Sequence, residues 1–169
     1  MDDLRIERDD LTRHPVRALV AEHLADMFAT TPPESVHALD LDGLRGPGLS
    51  MWSAWRGEQL LGFAALKHLD AGHGELKSMR TTAGVRRTGV GDALLRRLLQ
   101  EARDRGYTRV SLETGVEDYF APARALYDRH GFTSCAPFAD YTEDPLSVYL
   151  TLELASSTQS PQTPPPGSR

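Results

Sequence analysis

Gly74-Glu75-Leu76-Lys77-Ser78-Met79-Arg80-Thr81, a short turn, and then Val85-Arg86-Arg87-Thr88-Gly89-Val90-Gly91 running into Asp92–Arg105 is the stretch that decides the fold. Its first part reads as a strand, entered through the turn residues Asp70-Ala71-Gly72. Its last part is the clearest helix in the chain. Leu94, Leu95, Leu98, Leu99 and Ala102 form one apolar stripe, Arg96, Arg97, Glu101, Arg103 and Asp104 occupy the other side, and Gly106 supplies a C-terminal stop. A strand that passes through a glycine-containing loop into a helix aims unpaired backbone N–H groups and the helix dipole at one point, where a phosphate is stabilised. Gly89 and Gly91 let an anion approach the main chain closely, and Arg86 and Arg87 add positive charge. The pattern is Arg-x-x-Gly-x-Gly. It is not Gly-x-Gly-x-x-Gly, and it is not a P-loop, because no Gly-Lys-Ser/Thr follows. Taken alone, six such residues also describe an ordinary tight turn.

Upstream, Leu4-Arg5-Ile6-Glu7 alternates as a short strand, and Val16, Leu19, Val20, Leu24 and Met27 share one helical face until Pro32-Pro33 stops the helix. Glu34–Pro47 is a connector with room for a short helix around Ser35–Leu39. Two apolar runs, Ser50–Trp55 and Gln59–Leu66, flank Gly57-Glu58 and predict a hairpin, so the first four strands read as a meander with a helical insertion after the first. Downstream come a strand over Arg109–Thr114 and a short helix over Pro122–His130 ended by Gly131. Last is an alternating strand with Val148, Leu150, Leu152 and Leu154 on one face.

The chain has 169 residues, which fits one domain, assigned to 1–154. With 40% hydrophobic and 25% charged residues, a packed core is expected. The segment 155–169 is Ser, Thr, Gln, Pro and Gly with one charge, and is expected to be a disordered tail. A net charge of −5 argues against nucleic acid as a main partner. The single cysteine, Cys135, excludes an intrachain disulfide and a multi-cysteine zinc site. The acidic start Met1-Asp2-Asp3-Leu4-Arg5 lacks a signal-peptide core, and no apolar run approaches the roughly 20 residues of a membrane helix, so a cytoplasmic protein without a membrane partner is expected.

The strand, the Arg86–Gly91 loop, the long helix and the downstream Ala125-Leu126-Tyr127-Asp128-Arg129-His130-Gly131-Phe132 together resemble the GNAT superfamily of N-acetyltransferases, over roughly nine-tenths of the chain. The resemblance implies an α/β fold with a mixed, mostly antiparallel sheet of six or seven strands and helices on both faces. It implies acetyl-CoA as co-substrate, a small amine or protein amine as acceptor, and no metal; a homodimer would fit the family. Carried over, the main-chain amides of Arg86, Arg87, Thr88, Gly89, Val90 and Gly91 hold the coenzyme's pyrophosphate, and the backbone of Met79, Arg80 and Thr81 pairs with its pantetheine arm. The family's Leu-Tyr-x-x-x-Gly-Phe segment matches Leu126, Tyr127, Gly131 and Phe132, and its tyrosine protonates the departing thiolate. One departure stands out: Phe120 occupies the position, seven residues before the tyrosine, where many relatives place an asparagine against the cofactor arm. More narrowly, Glu34-Ser35-Val36-His37-Ala38-Leu39-Asp40, Lys77-Ser78-Met79-Arg80-Thr81 and Phe138-Ala139-Asp140-Tyr141 resemble a subgroup of small bacterial GNAT proteins, which implies no particular acceptor.

Tyr127 is thus the candidate general acid, against a simple packing role. Glu75 is the candidate general base, against an ion pair with Lys77 or an arginine. Glu113, on the neighbouring strand, is a second carboxylate for the same cleft, where crowding would raise one pKa; a surface ion pair explains it as well. His37 is a candidate acceptor-binding residue or base, against a helix-end histidine. Arg80 and Lys77 could draw in an anionic acceptor or pair with Glu75 and Glu113. Trp52 and Trp55 fall on opposite faces of a strand, one of them a candidate for the acceptor pocket. His68, Asp70 and His73 span a turn and read as a solvated hairpin rather than a metal site. Cys135 reads as a small hydrophobe. A non-catalytic acyl-CoA-binding sensor is the alternative to an enzyme.

Overall fold

A computed structural model describes residues 3–82, 84 and 88–154 of the chain. Arg86, Arg87 and the 155–169 tail lie outside the described residues. Seven strands form one sheet: β1 (Leu4–Arg8), β2 (Leu49–Arg56), β3 (Gln59–Asp70), β4 (His73–Thr81), β5 (Arg109–Gly115), β6 (Thr133–Ser134) and β7 (Ser147–Glu153), in the order β1-β2-β3-β4-β5-β7-β6. Among the described residues four helices accompany them: α1 (His14–Thr30), α2 (Leu41–Leu44), α3 (Val90–Asp104) and α4 (Ala121–Arg129). Every pairing is antiparallel except β4 with β5, which α3 joins as a crossover.

The two faces carry separate cores. Trp52, Leu61, Ala64, Leu66, Leu76 and Leu112 pack under α3, whose Leu94, Leu95, Leu98, Leu99 and Ala102 are all buried, and α4 adds Leu126 and Tyr127. Met51, Trp55, Leu60, Phe63 and Ala65 pack on the other face against Val16, Leu19 and Val20 of α1. Trp52 and Trp55 do face opposite sides, but both are core residues and neither reaches the cleft described below. Each has an arginine over its ring, Arg8 at 5.0 Å from Trp52 and Arg13 at 4.3 Å from Trp55.

The expected helix around Ser35–Leu39 is instead a single 3₁₀ turn at Pro33–Ser35 followed by α2. Asp40 explains the shift. Its side chain accepts from the Gly43 amide at 2.8 Å, which caps a helix starting at Leu41.

The irregularity that matters lies in the middle of the sheet. Ala65 pairs with Ser78 and Leu66 with Leu76, so Lys77 is an extra residue bulging out of β4. The parallel pairing of β4 with β5 stops at that point, after only His73–Leu76 against Arg109–Leu112. Beyond it β4 stays with β3 as far as Thr81 opposite Gly62, and β5 stays with β7 as far as Gly115 opposite Ser147. Two neighbouring strands held by different partners splay apart, and the gap between them is the site.

Candidate active site

The splay opens a cleft of about 830 Å³ that runs through the sheet from one face to the other. On the α3 face it is lined by Met79 and Thr81 of β4, by Gly89, Gly91 and Asp92 at the start of α3, and by Leu126, Tyr127 and Arg129 of α4. Gly89 holds φ +90 immediately before α3 begins at Val90, a left-handed conformation that turns the loop into the helix and that glycine adopts without strain. The first amides of α3 therefore open into the cleft. Asp92, a negative charge in that first turn, is held by Arg129 at 3.2 Å and by His130 at 3.0 Å. These two partners keep its carboxyl below the usual range and leave the helix end less negative than its sequence suggests.

On the opposite face the cleft meets a cluster of ionisable groups. Glu75 is 2% exposed; the Tyr141 hydroxyl donates to its Oε2 at 2.6 Å and Lys77 Nζ lies 3.5 Å away. Lys77 in turn donates to the Tyr141 oxygen at 2.7 Å. Tyr141 and Lys77 therefore stand between Glu75 and the cleft, and they line it while Glu75 does not. Glu113 does line it. Its Oε2 accepts from Ser147 Oγ at 2.7 Å, and burial pushes its pKa from 4.5 up to about 7, with Glu75 and Asp144 adding to the rise and Ser147 and Lys77 opposing it. His37 packs edge-on against the Tyr141 ring at 5.0 Å, and its pKa is lowered by burial and by Lys77. Phe138 and Tyr149 complete the aromatic packing around Tyr141, at 5.0 and 5.6 Å. The segments 34–40, 77–81 and 138–141 thus meet at one point, through His37, Lys77 and Tyr141.

Tyr127 approaches from the other face. It is 7% exposed, packs on Phe132 at 5.8 Å, and its hydroxyl is held strongly protonated by burial and by the nearby Glu113. Arg80 is not an open anion site: its guanidinium donates to Glu22 at 2.9 Å, Asp26 at 2.6 Å and the Tyr119 hydroxyl at 2.9 Å. Those contacts tie β4 to α1 and to the 3₁₀ turn Asp118–Phe120 across the mouth of the splay. The Phe120 ring lines the cleft and lies directly over Gly115, where a Cβ would overlap it. Asp118 does not line the cleft. His73 bonds Ser111 at 2.7 Å across β4 and β5, and His68 bonds Tyr107 in the turn after α3, so both are tied into the framework outside the cleft. Among the described residues no group of three His, Cys, Asp or Glu side chains could hold a metal ion. Cys135 is half-buried with a raised thiol pKa, and it does not line the cleft.

Several lining residues belong to no quoted motif: His23 and Met27 of α1, Thr31 at its C-cap, and Tyr119. The i, i+4, i+8 spacing of the α1 residues was the only available signal.

The sequence profile of the Acetyltransferase (GNAT) family matches residues 16–132. Curated relatives include "Uncharacterized N-acetyltransferase YsnE" of Bacillus subtilis (strain 168), 54% identical over 89% of this chain and 100% of its own length. "Uncharacterized N-acetyltransferase YedL" of Escherichia coli (strain K12) is 51% identical over 92% and 98%. An IAA acetyltransferase of Azospirillum brasilense is 35% identical over 89% and 97%. Among solved structures, one from Klebsiella pneumoniae assigned as an acyl-CoA N-acyltransferase superposes with a TM-score of 0.73 at 27% identity, over 90% of this chain and 98% of that one. A Bacillus subtilis acetyltransferase solved with CoA shares the fold at a TM-score of 0.62 and 20% identity, over 90% and 99%. The splayed strands, the glycine turn into α3 and these likenesses agree: the chain belongs to the GNAT family and is an N-acetyltransferase.

Proposed function

We propose that the cleft transfers an acetyl group from acetyl-CoA to a primary amine by direct attack, with Glu113 as general base and Tyr127 as general acid. The observation that carries this is the pairing of a carboxyl with a pKa of about 7 and a buried, protonated phenol, one on each side of the splay. The loop from Thr88 to Gly91 and the start of α3 would take the coenzyme's pyrophosphate, and the open edge of β4 at Met79, Arg80 and Thr81 would pair with its pantetheine arm.

The nitrogen lone pair forms a bond to the thioester carbonyl carbon while Glu113 takes a proton from that nitrogen. The tetrahedral oxyanion collapses, the carbon–sulfur bond breaks, and Tyr127 gives its proton to sulfur. Glu113 then holds one proton more and Tyr127 one fewer, and passing that proton back resets the site. Glu75 supports this arrangement from behind: with Tyr141 it fixes the Lys77 ammonium, and its own charge helps keep Glu113 basic. Coenzyme A release from acetyl-CoA, measured across a panel of amines, tests the reading. Glu113→Gln and Tyr127→Phe should each lower turnover about 10²-fold or more. Wild-type rates in both variants would refute the assignment.

A further inference from the structure

Five side-chain polar atoms converge on the α1 face of the cleft, buried and with no hydrogen-bond partner among the described residues: His23 Nδ1, Thr31 Oγ1, His37 Nε2, Ser78 Oγ and Arg80 Nε. Ser78 is 5%, Arg80 7% and Thr31 9% exposed, so bulk water is a poor substitute partner. Buried polar groups are seldom left unpaired, and a cluster of them on one wall of a cleft marks where a ligand makes the missing bonds. The coenzyme's features sit on the opposite face. Ser78 and Arg80 pair with Ala65 and Phe63, which belong to the α1 core, whereas Met79 packs toward α3.

The charges on this wall are already matched. Arg80 is ion-paired with Glu22 and Asp26, and Lys77 with Glu75. Glu113 and Asp144 add acidity nearby, and burial beside Arg80 lowers the pKa of His23 to about 4, which leaves it neutral. An additional anion would meet two satisfied cations and an excess of carboxylates. A neutral group would meet one obligatory donor, Arg80 Nε, two hydroxyls and two imidazole nitrogens that donate or accept. Of the two alternatives for Arg80 and Lys77, ion pairing is the one seen, with Glu75 for Lys77 and with Glu22 and Asp26 rather than Glu75 or Glu113 for Arg80.

We propose that the wall formed by His23, Thr31, His37, Ser78 and Arg80 binds an uncharged, hydrogen-bond-accepting group of the acceptor, an amide carbonyl, beside the amine that is acetylated. The acceptor is then an amino amide, either a free small amide or the N-terminus of a peptide, and not an amino acid with a free carboxylate. This inference rests on the cleft being the acetyl-transfer site.

The test compares glycine, glycinamide and a triglycine amide as acceptors with acetyl-CoA. Glycinamide should exceed glycine in kcat/KM by about 10-fold or more, the scale on which a site built for hydrogen bonds rejects a mismatched group. A preference of the same order for triglycine amide over glycinamide assigns the peptide source, and the reverse assigns the small amide. Ser78→Ala and Thr31→Val should each raise KM for the preferred amide by about 3- to 10-fold, the size of one lost hydrogen bond, and leave coenzyme A affinity by calorimetry unchanged. Glycine equal to or better than glycinamide overturns the proposal, as does turnover of other amines without either amide. Loss of coenzyme A affinity in the variants also overturns it, by assigning these atoms to the cofactor. If no amine is turned over while coenzyme A binds, the acetyltransferase chemistry fails separately. Calorimetry of glycinamide into the coenzyme A complex then decides the wall: heat of binding absent for glycine supports it, and no heat refutes it.

Discussion

Replacing Glu113 by glutamine should stabilise the protein and inactivate it together. Burial raises the carboxyl from 4.5 to about 7, so the folded state binds a proton that the unfolded chain releases. Below about pH 4.5 both states are protonated and the group contributes nothing. Between pH 4.5 and 7 stability falls as pH rises, because the unfolded chain ionises first. Above pH 7 the full penalty stands. At 1.36 kcal/mol per decade it reaches roughly 3 kcal/mol, a ceiling that solvent entering from the cleft reduces to about 1–3 kcal/mol. Glutamine keeps the shape and still accepts from Ser147 Oγ, so the substitution removes the buried charge and little else. In thermal unfolding the variant should match wild type near pH 4.5 and melt about 2–12 °C higher at pH 8.5, at about 2–4 °C per kcal/mol for a domain of this size. Wild-type kcat/KM should rise about tenfold per pH unit below 7 and level off above it, and the variant should lack that limb. A Tm difference that does not change with pH, or a rise in kcat/KM toward pH 7 that survives in the variant, would refute both the raised pKa and the base assignment.

Tyr127→Phe keeps the ring on Phe132 and removes the proton, so kcat should fall about 10²-fold with KM and coenzyme A affinity little changed, as steady-state kinetics and calorimetry would show. Gly89→Ala places a side chain at φ +90 and should lower stability by about 1–2 kcal/mol while weakening coenzyme A binding; Gly89→Asn should be milder, because asparagine tolerates that conformation. Tyr141→Phe removes the hydroxyl that bridges Lys77 and Glu75, leaves them only their 3.5 Å ion pair, and should lower the urea midpoint by an amount equivalent to about 1–3 kcal/mol.

The parts of the fold that rest on local periodicity were legible before any coordinates. The apolar stripe of α3, the β2–β3 hairpin and the alternation in β7 depend on neighbours within a few residues, and each formed within a residue or two of its expected ends, except that β3 runs on to Asp70. The connector was misread because a helix over Ser35–Leu39 and one capped by Asp40 differ by a single side-chain hydrogen bond, which composition does not weigh. The bulge at Lys77 was invisible for a different reason. It is a property of the register between β3 and β4, and no residue in β4 announces it. Yet that bulge marks where β4 leaves β5, and hence where the cleft begins.

Two carboxylates on adjacent strands were also legible, Glu75 and Glu113, but the choice of base was not. It depends on what covers each one. Glu75 lies under Tyr141, 66 residues away in sequence, with the ammonium of Lys77 beside it; both neighbours stabilise its charge and block its path to the cleft. Glu113 has one neutral hydroxyl donor and an opening to the cleft, so burial acts on it with little compensation. Glu75 is covered by Tyr141 and Lys77, whereas Glu113 faces the cleft with a pKa near 7, which suits a proton acceptor. The same contacts that satisfy Glu75 are the reason Glu113 is proposed as the base, and neither contact can be inferred from the spacing of the two residues along the chain.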